Sequence, residues 1–196
     1  FAMKYLSKLF VLTAAIVTSV TIAATAQADL SDERQILNTI NNVGYFADRN
    51  QWPQVAEQFH PKGAVLDYTS YQNASAGTSK ELPKLLPQQI VDAWQTVLPG
   101  YDTTHHLMGT QSVMIEGDTA QVTSNIYATH ILSNTKEVTV KGESFWVFIG
   151  DYQHTLKKTV NGWKITFMRA NMRNQLGNPK LPQLATEVVK ARKAAQ

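Results

Sequence analysis

Residues 119–132 read TAQVTSNIYATHIL, with apolar side chains recurring at even-numbered positions. Successive side chains of a β-strand point to opposite faces of the sheet, so Val122, Ile126, Ala128 and His130 share one face. The stretch therefore predicts a half-buried strand with a histidine among its inward-facing residues. Burying a histidine without a partner is costly, so His130 is either a satisfied core residue or part of a polar site.

The remainder of the chain places helices before strands. Apolar residues at helical spacing predict helices near 31–46, 52–59 and 90–98. Strand-like runs follow at 105–116, 137–158 and 162–172, with turn signals at 117–118 and 161–162. Helices followed by strands predict an α+β domain with a mostly antiparallel sheet.

The first residues have the pattern of a secretory signal peptide. Lys4 and Lys8 precede an apolar run that ends at the small-x-small site Ala26-Gln27-Ala28. We expect cleavage after Ala28, a secreted or periplasmic location, and no stable membrane insertion after cleavage.

Three segments follow from these patterns. Residues 1–28 comprise a two-residue cloning remnant before Met3 plus the signal peptide, and residues 29–178 form the folded domain. Residues 179–196 are a polar tail or helix, expected to be solvated or frayed. Within the domain, residues 71–87 are rich in Ser, Gly and Pro and predict a long loop of the kind that often covers a binding site.

Composition narrows the function classes. The formal net charge is +3, but two lysines lie in the signal peptide, so the mature chain is nearly balanced and we expect no nucleic-acid partner. The chain has no cysteine, which excludes disulfides and thiolate metal sites. It also lacks a Gly-x-Ser-x-Gly elbow, so covalent hydrolysis is not indicated.

A second histidine, His106, lies on the run before the first quoted strand. If the two runs form a hairpin about Gly117-Asp118, His106 lies opposite Thr129 or His130. The two histidines then become cross-strand neighbours with rings within about 8 Å of each other. His105 has the opposite parity and should face away.

Asp48 and Asp67 are the candidate carboxylates for this histidine pair. Asp48 follows the first helix, at the end where the helix dipole disfavours an acid, which indicates a site or a local cap. On the strand near 64–70 only one of Asp67 and Tyr68 can face the core, and we expect Tyr68 to do so. Two histidines and a carboxylate can bind a metal. No short metal-binding spacing is present, however, so we expect acid–base chemistry without metal or cofactor.

Six short motifs follow one another along the chain. They are Phe46-Ala47-Asp48 before Trp52, Leu66-Asp67-Tyr68, Thr103-Thr104-His105-His106, Ala128-Thr129-His130, Gly150-Asp151-Tyr152 and Asn161-Gly162-Trp163-Lys164. Together they resemble the SnoaL-like branch of the nuclear transport factor 2-like superfamily, nearest to scytalone dehydratase-like proteins. The resemblance covers residues 31–178 and implies a cone-shaped α+β barrel. In such a barrel, three N-terminal helices pack on the concave side of a curved sheet around a cavity.

By matched position, the resemblance implies that Asp48, Tyr68, His106 and His130 are the catalytic residues, which in the dehydratases hold water and substrate for an elimination. Ala47 replaces a second tyrosine, which argues against the dehydratases' own substrate. Tyr152 stands near a pocket asparagine of those enzymes. The residues expected to bind the substrate are Tyr152, Trp94, Trp146 and Phe46.

We therefore expect a cofactor-independent lyase, such as a dehydratase, or an isomerase. Its substrate would be a small hydroxylated cyclic or polyketide-like carbonyl compound. His106 or His130 would remove a proton, and Tyr68 or Tyr152 would hold the enolate oxygen. The alternative is a non-catalytic periplasmic binding protein for a small apolar or aromatic ligand; a charged triad in a pocket favours the enzyme. Members of the superfamily often form dimers or trimers, so a homo-oligomer is expected.

Overall fold

The computed structural model describes residues 32–69 and 82–196. The predicted signal peptide and most of the predicted 71–87 loop lie outside the described residues. The chain divides after Gln35, and the second unit, Ile36–Gln196, is compact. No described helix is both long and apolar enough to cross a membrane.

The second unit contains helices at both ends of a six-stranded sheet. Helix α1 spans 32–47, and the first short strand follows the second helix. The strand order β2-β1-β6-β5-β4-β3 is antiparallel throughout, except that β1 pairs parallel with β6. The elements after α1 are α2 (Trp52–Glu57), β1 (Ala64–Asp67), β2 (Lys84–Leu85), α3 (Pro87–Trp94), a 3₁₀ turn (Leu98–Gly100), β3 (Thr103–Glu116), β4 (Thr119–Ile131), β5 (Phe145–Thr159), β6 (Gly162–Gly177) and α4 (Leu181–Ala194).

The α+β class and the mostly antiparallel sheet are confirmed. The sheet bends at register shifts between Gly109 and Ser112, between Ile149 and Gly150, and between Thr155 and Leu156, because each bulge curves its strand. Strands β2 and β3 form its two edges and do not pair with each other. The described part of the chain therefore forms an open curved sheet, not a closed barrel.

The helices cover the concave face of this sheet. Ile36, Ile40, Val43 and Ala47 form the buried stripe of α1. Proline lies in the first turn of both α2 and α3, where its missing N–H is tolerated. Buried residues of these helices join inward residues of the sheet in one core.

The strand parity predicted for β4 is confirmed. Its residues alternate between buried and exposed, and Val122, Ile126, Ala128 and His130 all lie on the buried face. His105 is exposed, as its parity requires.

The predicted hairpin register is wrong by one to two residues at the histidines. Near the turn, Ser112 pairs with Thr123, but beyond the bulge Gly109 pairs with Asn125. The bulge places two β3 residues opposite one β4 residue, so every later pair shifts. As a result His106 faces Ala128, and Thr104 faces His130.

Residues 137–144 were expected to begin the third long strand, but β5 starts only at Phe145. Side chains bind the backbone of this segment in place of a strand partner. Thr135 Oγ1 accepts bonds from Glu137 N and Val138 N, and Asn134 Oδ1 accepts one from Val140 N. Such local side-chain bonds compete with strand pairing.

The C-terminal segment is a helix packed on the domain and not a frayed tail. Only one face of this helix is exposed to solvent. Leu181, Ala185 and Val188 of α4 are fully buried. The helix lies against the 3₁₀ turn, where a side chain at Gly100 would come within 2.0 Å of Ala185 O. The small apolar residues spaced along 181–189 give α4 an inner face that its polar composition conceals.

Candidate active site

A carboxylate–histidine pair lies where α1 meets β3. Asp48, directly after α1, accepts a bond from the His106 ring, with 2.6 Å between Oδ1 and Nδ1. Oδ2 accepts the backbone N–H of His106 at 2.8 Å, and Oδ1 also accepts the Thr104 hydroxyl at 2.7 Å. Three donors from one strand therefore fix this carboxylate, which explains an acid at a helix end.

Gly44 allows this close approach of helix and strand. A Cβ at position 44 would lie 2.9 Å from the His106 Cβ and 3.5 Å from the Met108 Cε. Real Cβ contacts are almost never shorter than 3.0 Å, so α1 could not hold this position with a larger residue. The absence of a side chain at 44 thus sets the position of His106.

The charge of Asp48 fixes the tautomer of its partner. Burial on its own raises the pKa of Asp48, but hydrogen bonds and charge interaction with His106 outweigh it and hold that pKa below 3.8. Asp48 is therefore an acceptor at neutral pH, and His106 Nδ1 carries the proton. The lone pair of the neutral ring is then on Nε2.

His130 lies beside this pair in a different environment. Its ring centroid is 5.5 Å from that of His106, so the predicted separation of less than about 8 Å is confirmed. The ring lies between Tyr101 at 4.9 Å and Trp146 at 4.8 Å. Burial, followed by the nearby His106, lowers the pKa of His130 to about 3, so this ring is neutral at neutral pH.

The two histidines open into one cavity of about 220 Å³. Helices α1 and α3 form one wall and the inward residues of β3 to β6 form the other. Tyr68, Trp94 and Tyr152 line it together with both histidines, so five of the eight predicted site residues line this cavity. Its other lining residues are Ile40, Val43, Gly44, Ala47, Val97, Leu98, Met108, Ala128, His154 and Met168.

Asp48, Phe46 and Trp146 are the three predicted site residues outside this wall. Asp48 reaches the cavity through His106. Phe46 packs against the core and edge-on to Tyr45, because one helical position places it beside the lining stripe. Trp146 lines an adjoining recess of about 380 Å³, which shares Val97, Leu98 and His130 with the main cavity. Neither Phe46 nor Trp146 lies on the wall of the main cavity, and their role in substrate binding stays a prediction.

Asp67 does not take part in the cavity. It is only 4% exposed and binds Arg169 Nε at 2.7 Å as well as Thr69. Tyr68 lines the cavity as expected, but Asp67 is buried too, because Arg169 offsets the cost of burying its charge. Of the two, only Tyr68 faces the cavity, as the strand parity predicts.

Sequence reasoning missed His154. This residue is 3% exposed, lines the cavity, and has its ring centroid 5.8 Å from that of Tyr152. It has the same strand parity as Tyr152, which the sequence could have revealed once Tyr152 was placed inward. Among the described residues, no three side chains of His, Asp or Glu are grouped closely enough to hold a metal ion.

The sequence profile of the SnoaL-like domain matches residues 28–169. The chain belongs to the SnoaL-like domain family. This match covers most of the chain, so the resemblance drawn from the short motifs is confirmed. Comparison with curated protein sequences gives no significant match.

Solved structures with the same fold come from several bacteria. The Kfla4162 protein from Kribbella flavida aligns with a TM-score of 0.66 over 83% of this chain and 99% of its own, at 17% identity. A proposed scytalone dehydratase from Novosphingobium aromaticivorans aligns at 0.58 over 78% and 91%, with 15% identity. The hexachlorocyclohexane dehydrochlorinase LinA-type3 from Novosphingobium barchaimii aligns at 0.59 over 77% and 92%, with 12% identity. At these identities the likeness concerns the fold.

Proposed function

We propose that the protein is a cofactor-independent lyase or isomerase acting on a small hydroxylated cyclic or polyketide-like carbonyl compound. The observation that carries the proposal is the Asp48–His106 pair, whose atoms Oδ1 and Nδ1 lie 2.6 Å apart beside an apolar cavity. A carboxylate that holds one ring nitrogen leaves the other as a base.

His106 is the base in this proposal. Its Nε2 takes a proton from the carbon next to the substrate carbonyl, and Asp48 stabilises the resulting imidazolium. His130 lacks a carboxylate on its ring, and burial keeps it neutral, so it suits hydrogen bonding better than proton removal. This difference in environment supports His106 as the base and His130 as a hydrogen-bonding residue.

The reaction balances without a cofactor. The electron pair of the broken C–H bond moves towards the carbonyl, and Tyr68 or Tyr152 donates a hydrogen bond to the enolate oxygen. In an elimination, the electron pair of the enolate then forms a C=C bond, and the C–O bond on the adjacent carbon breaks. The departing hydroxyl takes the proton from His106 and leaves as water. In an isomerisation, the same proton returns to a different carbon.

Two structural neighbours support the elimination. The name of the proposed scytalone dehydratase describes loss of water, and that of the hexachlorocyclohexane dehydrochlorinase describes loss of hydrogen chloride. Fold alone does not transfer activity, so this support is secondary to the carboxylate–histidine pair.

The competing proposal is a non-catalytic binding protein for a small apolar ligand. The mainly apolar cavity wall favours binding of such a molecule. A binder has no evident need for a carboxylate that fixes a histidine inside the cavity, so the enzyme is the preferred proposal.

A substrate screen separates the two proposals. Hydroxylated ketones and polyketide-like phenols are incubated with the protein, and dehydration is followed by absorbance. For a turned-over compound, we expect Asp48→Asn to lower kcat at least tenfold with little change in KM, because the amide no longer stabilises the imidazolium. A compound that binds tightly, stays unchanged and binds Asp48→Asn equally well would favour the binding protein.

Export and self-association are further proposals. Intact mass of secreted protein should correspond to a chain starting at Asp29, and retention of residues 3–28 would contradict export by this route.

Exposed apolar residues on the outer face of the sheet, among them Leu107 and Tyr127, support a homo-oligomer. Sedimentation velocity would show a dimer or trimer, and a monomer at all concentrations would contradict it.

A further inference from the structure

His154 is a buried polar residue to which the proposed chemistry gives no role. It lies on β5, is 3% exposed and lines the cavity. Its Nδ1 is buried and has no hydrogen-bond partner among the described residues. Buried polar atoms in proteins nearly always have a partner, so this nitrogen is suited to a polar atom brought by a ligand.

A second buried polar atom lies on the neighbouring strand. Val122 pairs with His154 and Ser124 pairs with Tyr152, so Ser124 is a diagonal neighbour of His154. Ser124 is 2% exposed, and its Oγ also has no partner among the described residues. The inner face of the sheet is therefore locally polar around His154, within a mainly apolar wall.

This polar region is remote from the Asp48–His106 pair. His106 faces Ala128, which in turn faces Phe148 on β5. His154 is six residues further along that strand, which corresponds to at most about 20 Å of extended chain. The cavity wall at this end includes Met168, which pairs with His154, and the ring of Tyr152 lies on the side towards the Asp48–His106 pair.

The state of His154 restricts the group it can bind. Burial lowers its pKa to about 4, so the ring is neutral at neutral pH. A neutral imidazole has one N–H donor and one acceptor nitrogen, which matches a hydroxyl or a carbonyl oxygen. It offers no positive charge to a carboxylate or phosphate.

We propose that His154 anchors the far end of the substrate through a hydrogen bond to a neutral hydroxyl or carbonyl oxygen. The substrate is then an elongated, mainly apolar molecule with an oxygen group at each end. The assignment of the reacting carbon to His106 rests on the proposed function, whereas binding at His154 can be measured without turnover.

Two ketone probes that differ by one hydroxyl test the anchor. Para-hydroxybenzylacetone carries a carbonyl at one end and a hydroxyl at the other, and benzylacetone lacks the hydroxyl. Calorimetry should show that the wild-type protein binds the hydroxylated probe about fivefold more tightly, the effect of one neutral hydrogen bond. His154→Phe should bind both probes equally, and His154→Gln should restore part of the preference.

Three results would overturn the proposal. They are no measurable binding of the hydroxylated probe, equal affinities in the wild type, and an unchanged preference in His154→Phe. If that variant does not fold, ¹⁵N signals of the wild-type ring give the answer, since only the hydroxylated probe should shift those of His154. Deuterium exchange next to the carbonyl, measured on benzylacetone, reports on His106 separately, so failure of the anchor and of the base can be distinguished.

Discussion

His106 and His130 are 5.5 Å apart, yet only His106 has a carboxylate on its ring. His130 and His154 are buried among aromatic neighbours, and burial is the main cause that lowers the pKa of each. At the scale of single residues, one cavity therefore contains a histidine whose Nδ1 is held by a carboxylate and two histidines whose pKa is lowered by burial. The sequence could identify His106 and His130, but not the environments that separate their roles.

Because burial lowers the pKa of His130 and His154, the free energy of unfolding depends on pH. The ordinary histidine pKa of 6.5 applies to the unfolded chain, whereas that of His154 in the fold is about 4. The unfolded state therefore binds a proton first as the pH falls, and stability is lost between pH 6.5 and about 4 while staying constant above that range. For His154 the loss amounts to about 3 kcal/mol.

We expect His154→Phe to lose about 3 kcal/mol less than the wild type between neutral pH and pH 4. Urea unfolding at the two pH values measures this difference, whatever the absolute stability of the variant. His105→Phe is the control, since His105 is exposed and should leave the loss unchanged. An equal loss in wild type and His154→Phe would refute the buried, neutral state of His154.

At the scale of elements, the site depends on how closely α1 approaches β3. The sequence predicted both elements and the inward parity of His106, because hydrophobic periodicity determines which face is buried. It could not predict the register, since the bulge between Gly109 and Ser112 has no turn signal in the sequence. The observed partner of His106, Ala128, is two residues from His130, so the two histidines remain diagonal neighbours on the same face.

Gly44→Ala tests this approach of helix to strand. The new Cβ would lie 2.9 Å from the His106 Cβ and must displace it by a few tenths of an ångström. We expect kcat to fall roughly tenfold, because small misplacements of catalytic groups are costly. The thermal midpoint should change little, because the higher helix propensity of alanine, about 1 kcal/mol over glycine, offsets the cost of this close contact.

Gly109→Ala is the matched control, because Gly109 lies on the same strand as His106 and its new Cβ would meet nothing within 4 Å. Its kcat should equal that of the wild type. If Gly44→Ala also kept full activity on a turned-over substrate, the position of His106 would not depend on the absence of a side chain at 44.

At the scale of the Ile36–Gln196 unit, helices cover the concave face of an open sheet and leave a cavity between them. The order of helices and strands was readable from the sequence because each element has its own periodicity. The buried face of α4 could not be predicted from the sequence, because its apolar residues are small and few among polar neighbours. The loss of strand pairing at 137–144 depends on side-chain bonds that no periodicity reveals.

In the proposed mechanism, His106 removes a proton from carbon. The most direct measurement is deuterium exchange next to the carbonyl of a bound ketone such as benzylacetone, followed by NMR in heavy water. His106→Asn should slow the protein-dependent exchange by roughly 100-fold or more, the usual contribution of a positioned base. His105→Asn, on the exposed face of the same strand, should exchange at the wild-type rate. Equal exchange rates for wild type and His106→Asn, with circular dichroism showing that both proteins are folded, would contradict the role of His106 as the base.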